Sequence, residues 1–251
     1  MACCLLLAFI AVLLTSIPVF AIGDSSKLAI PQIQYRGGDF KPRPKALESL
    51  LAQVAKRTSV EVRRDSLEFK LDDPRLFHHP FLYMGGTGGF EPFKKGEIKA
   101  LRDYLNYGGF LLIDDNSTTP NSGFDGSVRK MINDLFPHTP FQKIGQDHSI
   151  FRSFYLINEV AGRVQVNPYL EGITVKGKTV IVYSRNDLAG AWSKNKLGHY
   201  NFDMIGSGPK QRTQSIRLGV NIIMYSLTLD YKKDLVHLPT ILERLRRYNS
   251  R

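Results

Sequence analysis

Beyond its fourth residue this chain contains no cysteine: Cys3 and Cys4 both lie in the opening stretch MACCLLLAFIAVLLTSIPVFA. Residues 22–251 therefore have neither a disulfide framework nor a thiol nucleophile, and packing must supply their stability. The same 21 opening residues lack any charged side chain. An apolar run of that length ending in Val19-Phe20-Ala21, a small-x-small pattern, predicts a secretory signal peptide or a retained membrane anchor; cleavage would leave Ile22 as the new N-terminus. Also missing are H-E-x-x-H, G-x-S-x-G, G-x-x-x-x-G-K-[ST] and a G-x-G-x-x-G after a strand, which leaves no mechanistic motif to read. No zinc finger or aromatic-basic RNP-like stretch is present, so nucleic acid is not an expected partner. Acidic residues are in deficit, 23 against 34 Lys and Arg, for a net charge of +11. Because the leader is uncharged, that excess belongs to the rest of the chain, and anionic lipid or glycan surfaces and acidic envelope proteins are the partners it implies. Lys232, Lys233, Arg244, Arg246 and Arg247 concentrate part of it near the C-terminus.

What is present reads as one globular domain over residues 22–251, with 43% hydrophobic and 23% charged residues. KLAIPQIQY (27–35) predicts a first strand. ALESLLAQVAKR (46–57) sets Leu47, Leu50, Leu51, Val54 and Ala55 at helical spacing with two cations in its last turn. SVEVRR is a short strand candidate; HPFLYMGG (79–86) is another, entered through a turn at His78 and His79 that should face solvent and stopped by GGTGG. KKGEIKALRDYLNYGG predicts a helix closed by a left-handed glycine at Gly108, and FLLIDD follows as a buried strand. FDGSVRKMINDLF (124–136) predicts a helix, GKTVIVYSRND (177–187) a strand, and QRTQSIRLGVNIIMYSLTLDY (211–231) the longest helix. Strands alternating with helices predict an α/β domain with a mostly parallel sheet, and in such sheets ligands bind beyond the carboxyl ends of the strands.

That rule bears on GGFLLIDDNSTT (108–119), where an apolar strand ends on two adjacent carboxylates. The candidate site comprises Gly85, Gly86, Asp114, Asp115, Asp147, His148 and Asp187, expected at strand ends or in loops of one rim, with Trp192 just after a strand end and Arg212 reaching the rim from the long helix. Clustered carboxylates and an imidazole can hold a divalent cation or supply a general acid and base; the plainer use is capping and loop hydrogen bonding. The glycines can present amides to an anion or make a tight turn. Trp192 can stack on a ligand ring or pack a helix onto the sheet; Arg212 can clamp an anion or pair with an Asp. Consecutive strand residues point to opposite faces, so Asp114 is expected to bond inward and Asp115 to open to the rim beside Asp147 or His148.

Together, HPFLYMGG, LRDYLNYGGFLLIDD, QDHSIF, YSRNDLAGAW and QRTQSIRLGVNIIMYSLTLDYKKDLVH resemble the bacterial family called domain of unknown function 4159, over about residues 28–242. The resemblance implies a flavodoxin-like three-layer sandwich similar to class I glutamine amidotransferases. It implies exported or membrane-attached proteins, often encoded near MoxR-like ATPases and von Willebrand A-type proteins. By that likeness Gly85 and Gly86 stand where an amidotransferase has its oxyanion loop, and Asp114 or Asp115 where it has the nucleophilic cysteine. A carboxylate cannot perform that acyl transfer. The expectation is an exported, non-catalytic envelope module, periplasmic or on the outer membrane face, that binds a ligand or partner at the rim. The alternative is a carboxylate- or metal-dependent hydrolase acting on an envelope glycan. No cofactor is expected; a divalent cation is the one candidate.

Overall fold

The structure, a computed structural model, describes residues 27–229; the expected leader and the basic C-terminal segment lie outside the described residues. The elements in chain order are β1 (Pro31–Ile33), α1 (Ala46–Arg57), β2 (Leu67–Phe69), β3 (Phe81–Gly86), α2 (Lys95–Asn106), β4 (Phe110–Asp115) and α3 (Gly123–Leu135). Then come β5 (Gln142–Lys143), β6 (Glu171–Val175), β7 (Lys178–Ser184), α4 (Leu188–Trp192) and α5 (Gly208–Thr228). They form one seven-stranded sheet in the order β2-β1-β3-β4-β7-β6-β5. The first five of these strands are parallel, whereas β6 runs antiparallel to both β7 and β5. Chain order within the parallel part is that of a doubly wound sheet, with its switch point between β1 and β3.

The strands β3 and β4 are buried at every position because helices cover both faces of the sheet. Phe81, Tyr83, Phe110, Leu112 and Val182 pack into a core with Leu50, Leu51 and Val54 of α1, Trp192 of α4 and Val220 and Ile223 of α5. Leu82, Met84, Leu111, Ile113 and Ile181 pack into a second core with Leu101 and Leu105 of α2 and Val128 and Met131 of α3. The α/β reading therefore holds, and the alternation along FLLIDD carries through to the layers. Close approach of α5 to α4 depends on Gly219: a Cβ there would lie 2.7 Å from Trp192 Cζ2 and from Leu50 Cδ1.

Local chemistry explains three departures from the sequence reading. SVEVRR contributes only a single bridge between Val62 and Leu28, and the edge strand is the next run, Leu67–Phe69. The hairpin of β6 and β7 turns on Lys176 (φ 50°) and Gly177 (φ 77°), the positive-φ pair of a type I′ turn. Of the two histidines, His78 is exposed as expected, but His79 is half-buried with its ring 5.6 Å from that of Phe69.

Burial, reinforced by the Arg63 cation, depresses the His79 pKa to about 4. Between about 4 and 6.5 the unfolded chain then binds a proton that the folded chain refuses, so stability should fall as pH drops through that window. Urea unfolding at several pH values should show this loss, and it should be smaller in His79→Gln. Asn221, fully buried on α5, accepts from Tyr155 N (2.7 Å) and donates to the carbonyls of Ile150 (2.9 Å) and Tyr155 (2.8 Å). Asn221→Ala should cost about 3 kcal/mol in denaturant unfolding, because it strands three backbone groups under the loop.

Candidate functional site

The parallel register aligns Gly85 with Asp114, Gly86 with Asp115, and Asp114 with Ser184. The glycine pair, the aspartate pair and the exit of β7 therefore share one rim. Asp114 follows the parity of Phe110 and Leu112 and turns toward the α1/α5 layer. Its Oδ1 accepts from Leu188 N (2.9 Å); its Oδ2 accepts from Ala189 N (2.8 Å), Asn116 Nδ2 (2.7 Å) and Tyr83 Oη (3.2 Å). The first two amides of α4, which have no partner within the helix, are thus held by a carboxylate from β4. Burial and the adjacent Asp187 carboxylate push the Asp114 carboxyl up to about 8, against donors that favour its charged form.

Asp187 caps the same helix through Gly190 N (3.0 Å), from a left-handed backbone at φ 51°. Its Oδ1 accepts from Arg43 Nε (2.9 Å) and Asn116 Nδ2 (3.1 Å), and its Oδ2 accepts from Arg43 Nη2 (2.9 Å) and from Arg163 Nε. Arg43 also donates to the Asn116 carbonyl at 2.6 Å, and its guanidinium lies 4.5 Å from the centre of the Phe202 ring. Asp187 has no exposed surface, and the two arginine side chains are only 12% and 11% exposed. Arg163 reaches this position because Gly162 lets its loop pass against the end of β7, where a Cβ would fall 1.9 Å from the Asn186 carbonyl oxygen.

On the opposite face, Asp115 accepts from Ser117 N (2.9 Å) and Ser122 Oγ (2.6 Å), and Ser122 in turn caps α3 by accepting from Asp125 N (3.0 Å). Its carboxyl is also raised by burial. The inward role expected for Asp114 is found. The open role expected for Asp115 is not, since it is 1% exposed and tied into the start of α3.

The wider rim cluster is not assembled. His148 caps a short 3₁₀ turn by accepting from Ile150 N (3.1 Å) on Nδ1, which leaves Nε2 to donate to Thr179 Oγ1 (3.1 Å). Thr179 starts β7, five residues and roughly 16 Å before the rim. His148 and the adjacent exposed Asp147 therefore belong to the amino end of the sheet. Burial lowers the His148 pKa. Trp192 is 2% exposed and donates to the Ser215 carbonyl (3.1 Å), so it packs helices and offers no face to a ligand. Arg212 donates to the carbonyls of Ala191 and Phe202, both at 2.7 Å, and lies 3.9 Å from the Tyr200 ring centre. A Cβ on Gly85 would meet Tyr83 Oη at 2.4 Å, and one on Gly86 would meet Tyr35 Oη at 2.1 Å, so close packing sets these glycines.

Arg43, Asn116, Gly162 and Arg163, which complete the cluster, were not among the residues singled out in the sequence. Their only trace was proximity: Asn116 follows the Asp pair, and Arg43 sits between two prolines in KPRPK. Among the described residues no group of three or more His, Cys, Asp or Glu side chains is arranged to hold a metal ion. A carboxyl near 8 is a proton donor in principle, but Asp114 has no exposed surface through which to reach a substrate atom.

Fold and rim together define a doubly wound α/β domain with a buried ion cluster at the carboxyl ends of β4 and β7. The chain belongs to the family described as domain of unknown function DUF4159, whose profile matches residues 29–227. No curated protein matches it.

The geometry makes all three aspartates structural. Asp114→Ala and Asp115→Ala should each lower stability by about 2–3 kcal/mol, by orphaning buried donors. Asp187→Ala should cost about 3–5 kcal/mol, because it leaves two arginines facing each other without a counter-ion. Denaturant unfolding at neutral pH measures these losses; an Asp115→Ala variant as stable as the parent would contradict the assignment.

Proposed function

We propose that this chain is a non-catalytic binding module of the cell envelope. In this reading it is an amidotransferase-like sandwich whose former active-site rim has become a structural plug. The observation that carries the proposal is the burial of Asp187 between Arg43 and Arg163, which ties up the carboxyl ends of β4 and β7 beside the switch point where a doubly wound domain would receive a ligand. Supporting it, the positions matched to the amidotransferase nucleophile are carboxylates with their oxygens engaged, and residues 22–251 hold no cysteine. Export to the periplasm or the outer membrane face rests on the charge-free leader, and partnership with MoxR-like ATPases and von Willebrand A-type proteins rests on the family resemblance. No helix of the described residues is long and apolar enough to cross a membrane, so any anchoring by a helix would fall to residues outside them.

The test is a hydrolase screen of the full chain on peptidoglycan, glycan and ester substrates, run beside Arg43→Ala to unplug the rim. No turnover is expected from either protein. Turnover by the parent that disappears in a folded Asp115→Ala variant would overturn the reading. Mass spectrometry of the mature protein should find Ile22 at the N-terminus, or an intact Met1 in the membrane fraction if the leader is retained.

A further inference from the structure

Among the described residues six large apolar side chains are exposed, and five of them, Phe154, Leu156, Leu197, Tyr200 and Ile205, lie in loops that pack on the α1/α5 layer. The sixth, Tyr107, follows α2 on the other layer. Charge divides in the same way. Helices α1 and α5 carry five cations and one acid, whereas α2 and α3 carry five cations and four acids. The loops 149–160 and 193–207, both on the α1/α5 side, add three cations and two acids, so the layer stays net cationic.

The two most exposed of these six are leucines held out by ordered backbone. Leu197, 81% exposed, occupies the tip of a tight hairpin, where Asn195 Oδ1 accepts from Leu197 N (2.9 Å) and His199 N (3.0 Å). Gly198 (φ 84°) closes the turn through its amide to the Asn195 carbonyl (3.1 Å). At its base the Lys194 ammonium lies 4.5 Å from the Tyr200 ring centre, whose ring also meets Arg212. Leu156, 78% exposed, follows Tyr155, whose ring lies between the guanidinium groups of Arg57 (5.9 Å) and Arg217 (5.4 Å). Both loops sit along the seam between α1 and α5. The hairpin packs by Gln53 and Ile216, and Tyr155 packs by Arg57, four residues further along α1, and by Arg217, the next residue of α5.

We propose that this layer docks on an anionic lipid bilayer, with Leu197 and Leu156 entering the head-group boundary and the surrounding lysines and arginines meeting lipid phosphates. Single leucines raised on separate rigid loops amid cations fit a yielding anionic surface, which adapts to each apolar tip. A protein partner is better served by a contiguous apolar patch with a packed centre. The loop that carries this hairpin goes on to meet the Arg43–Asp187–Arg163 cluster through Phe202, but lipid contact through Leu156 and Leu197 uses none of the rim carboxylates, so the inference stands whether or not the rim is catalytically silent.

The test is co-sedimentation of the full chain with phosphatidylcholine vesicles that contain either no anionic lipid or about a third phosphatidylglycerol. Binding is expected only to the anionic vesicles at low ionic strength, and should weaken at least fivefold when salt shortens the Debye length to about 3 Å. The double substitution Leu156→Asp with Leu197→Asp should reduce binding at least fivefold with an unchanged melt, as should Lys194→Glu with Lys196→Glu. Tyr107→Asp, on the other layer, should leave it unaltered. Equal binding to neutral vesicles, no binding by the parent, or full binding by both double variants would overturn the proposal. The last result would place lipid contact in residues outside 27–229, and the second would favour a protein partner for this surface.

Discussion

A buried carboxylate held between two guanidinium groups organises the carboxyl end of this sheet. Asp187 joins Arg43, from the loop after β1, to Arg163, from the loop before β6, and caps α4 with its remaining capacity. Three stretches distant in sequence therefore meet on one side chain. An unpaired charge at zero exposure would cost several kcal/mol, so these loops are constrained to arrive together. Asn116 extends the constraint by donating to both Asp187 and Asp114, linking the ends of β4 and β7 on the α1/α5 side of the sheet.

The cluster also engages polar groups at the carboxyl ends of β4 and β7, next to the switch point of this sheet. Ligand sites arise at strand ends because helix amides and loop backbones there lack partners. Here Asp114 and Asp187 receive the amides of α4, while Asp115, through Ser122, serves the start of α3. Much of the polar capacity at this rim thus meets the protein's own groups, although Asn116 Oδ1 is buried without a hydrogen-bond partner.

Exposed features lie instead on the outer surface of one layer, where basic helices and protruding leucines combine. The two regions meet at Phe202, whose ring lies over the Arg43 and Arg163 guanidinium groups. Helix α5 fixes the loops through Arg212, which holds the Phe202 carbonyl, and Asn221, which holds those of Ile150 and Tyr155, and the loops present Leu156 and Leu197.

Sequence periodicity by itself determined the α/β alternation, the bounds of α1 and β4, and the opposite facing of Asp114 and Asp115, because 3.6- and 2-residue repeats are local properties of a chain in water. It also indicated that the glycine pair and the aspartate pair share a rim, since parallel strands end on the same side. Tertiary structure alone decided which carboxylates are covered and by what. Arg43 and Arg163 stand 144 and 24 residues from Asp187, and no local pattern encodes that convergence. The same limit misplaced His148: its segment returns to the start of β7, and a residue in an irregular loop carries no repeat that says to which end of the sheet the chain will bring it.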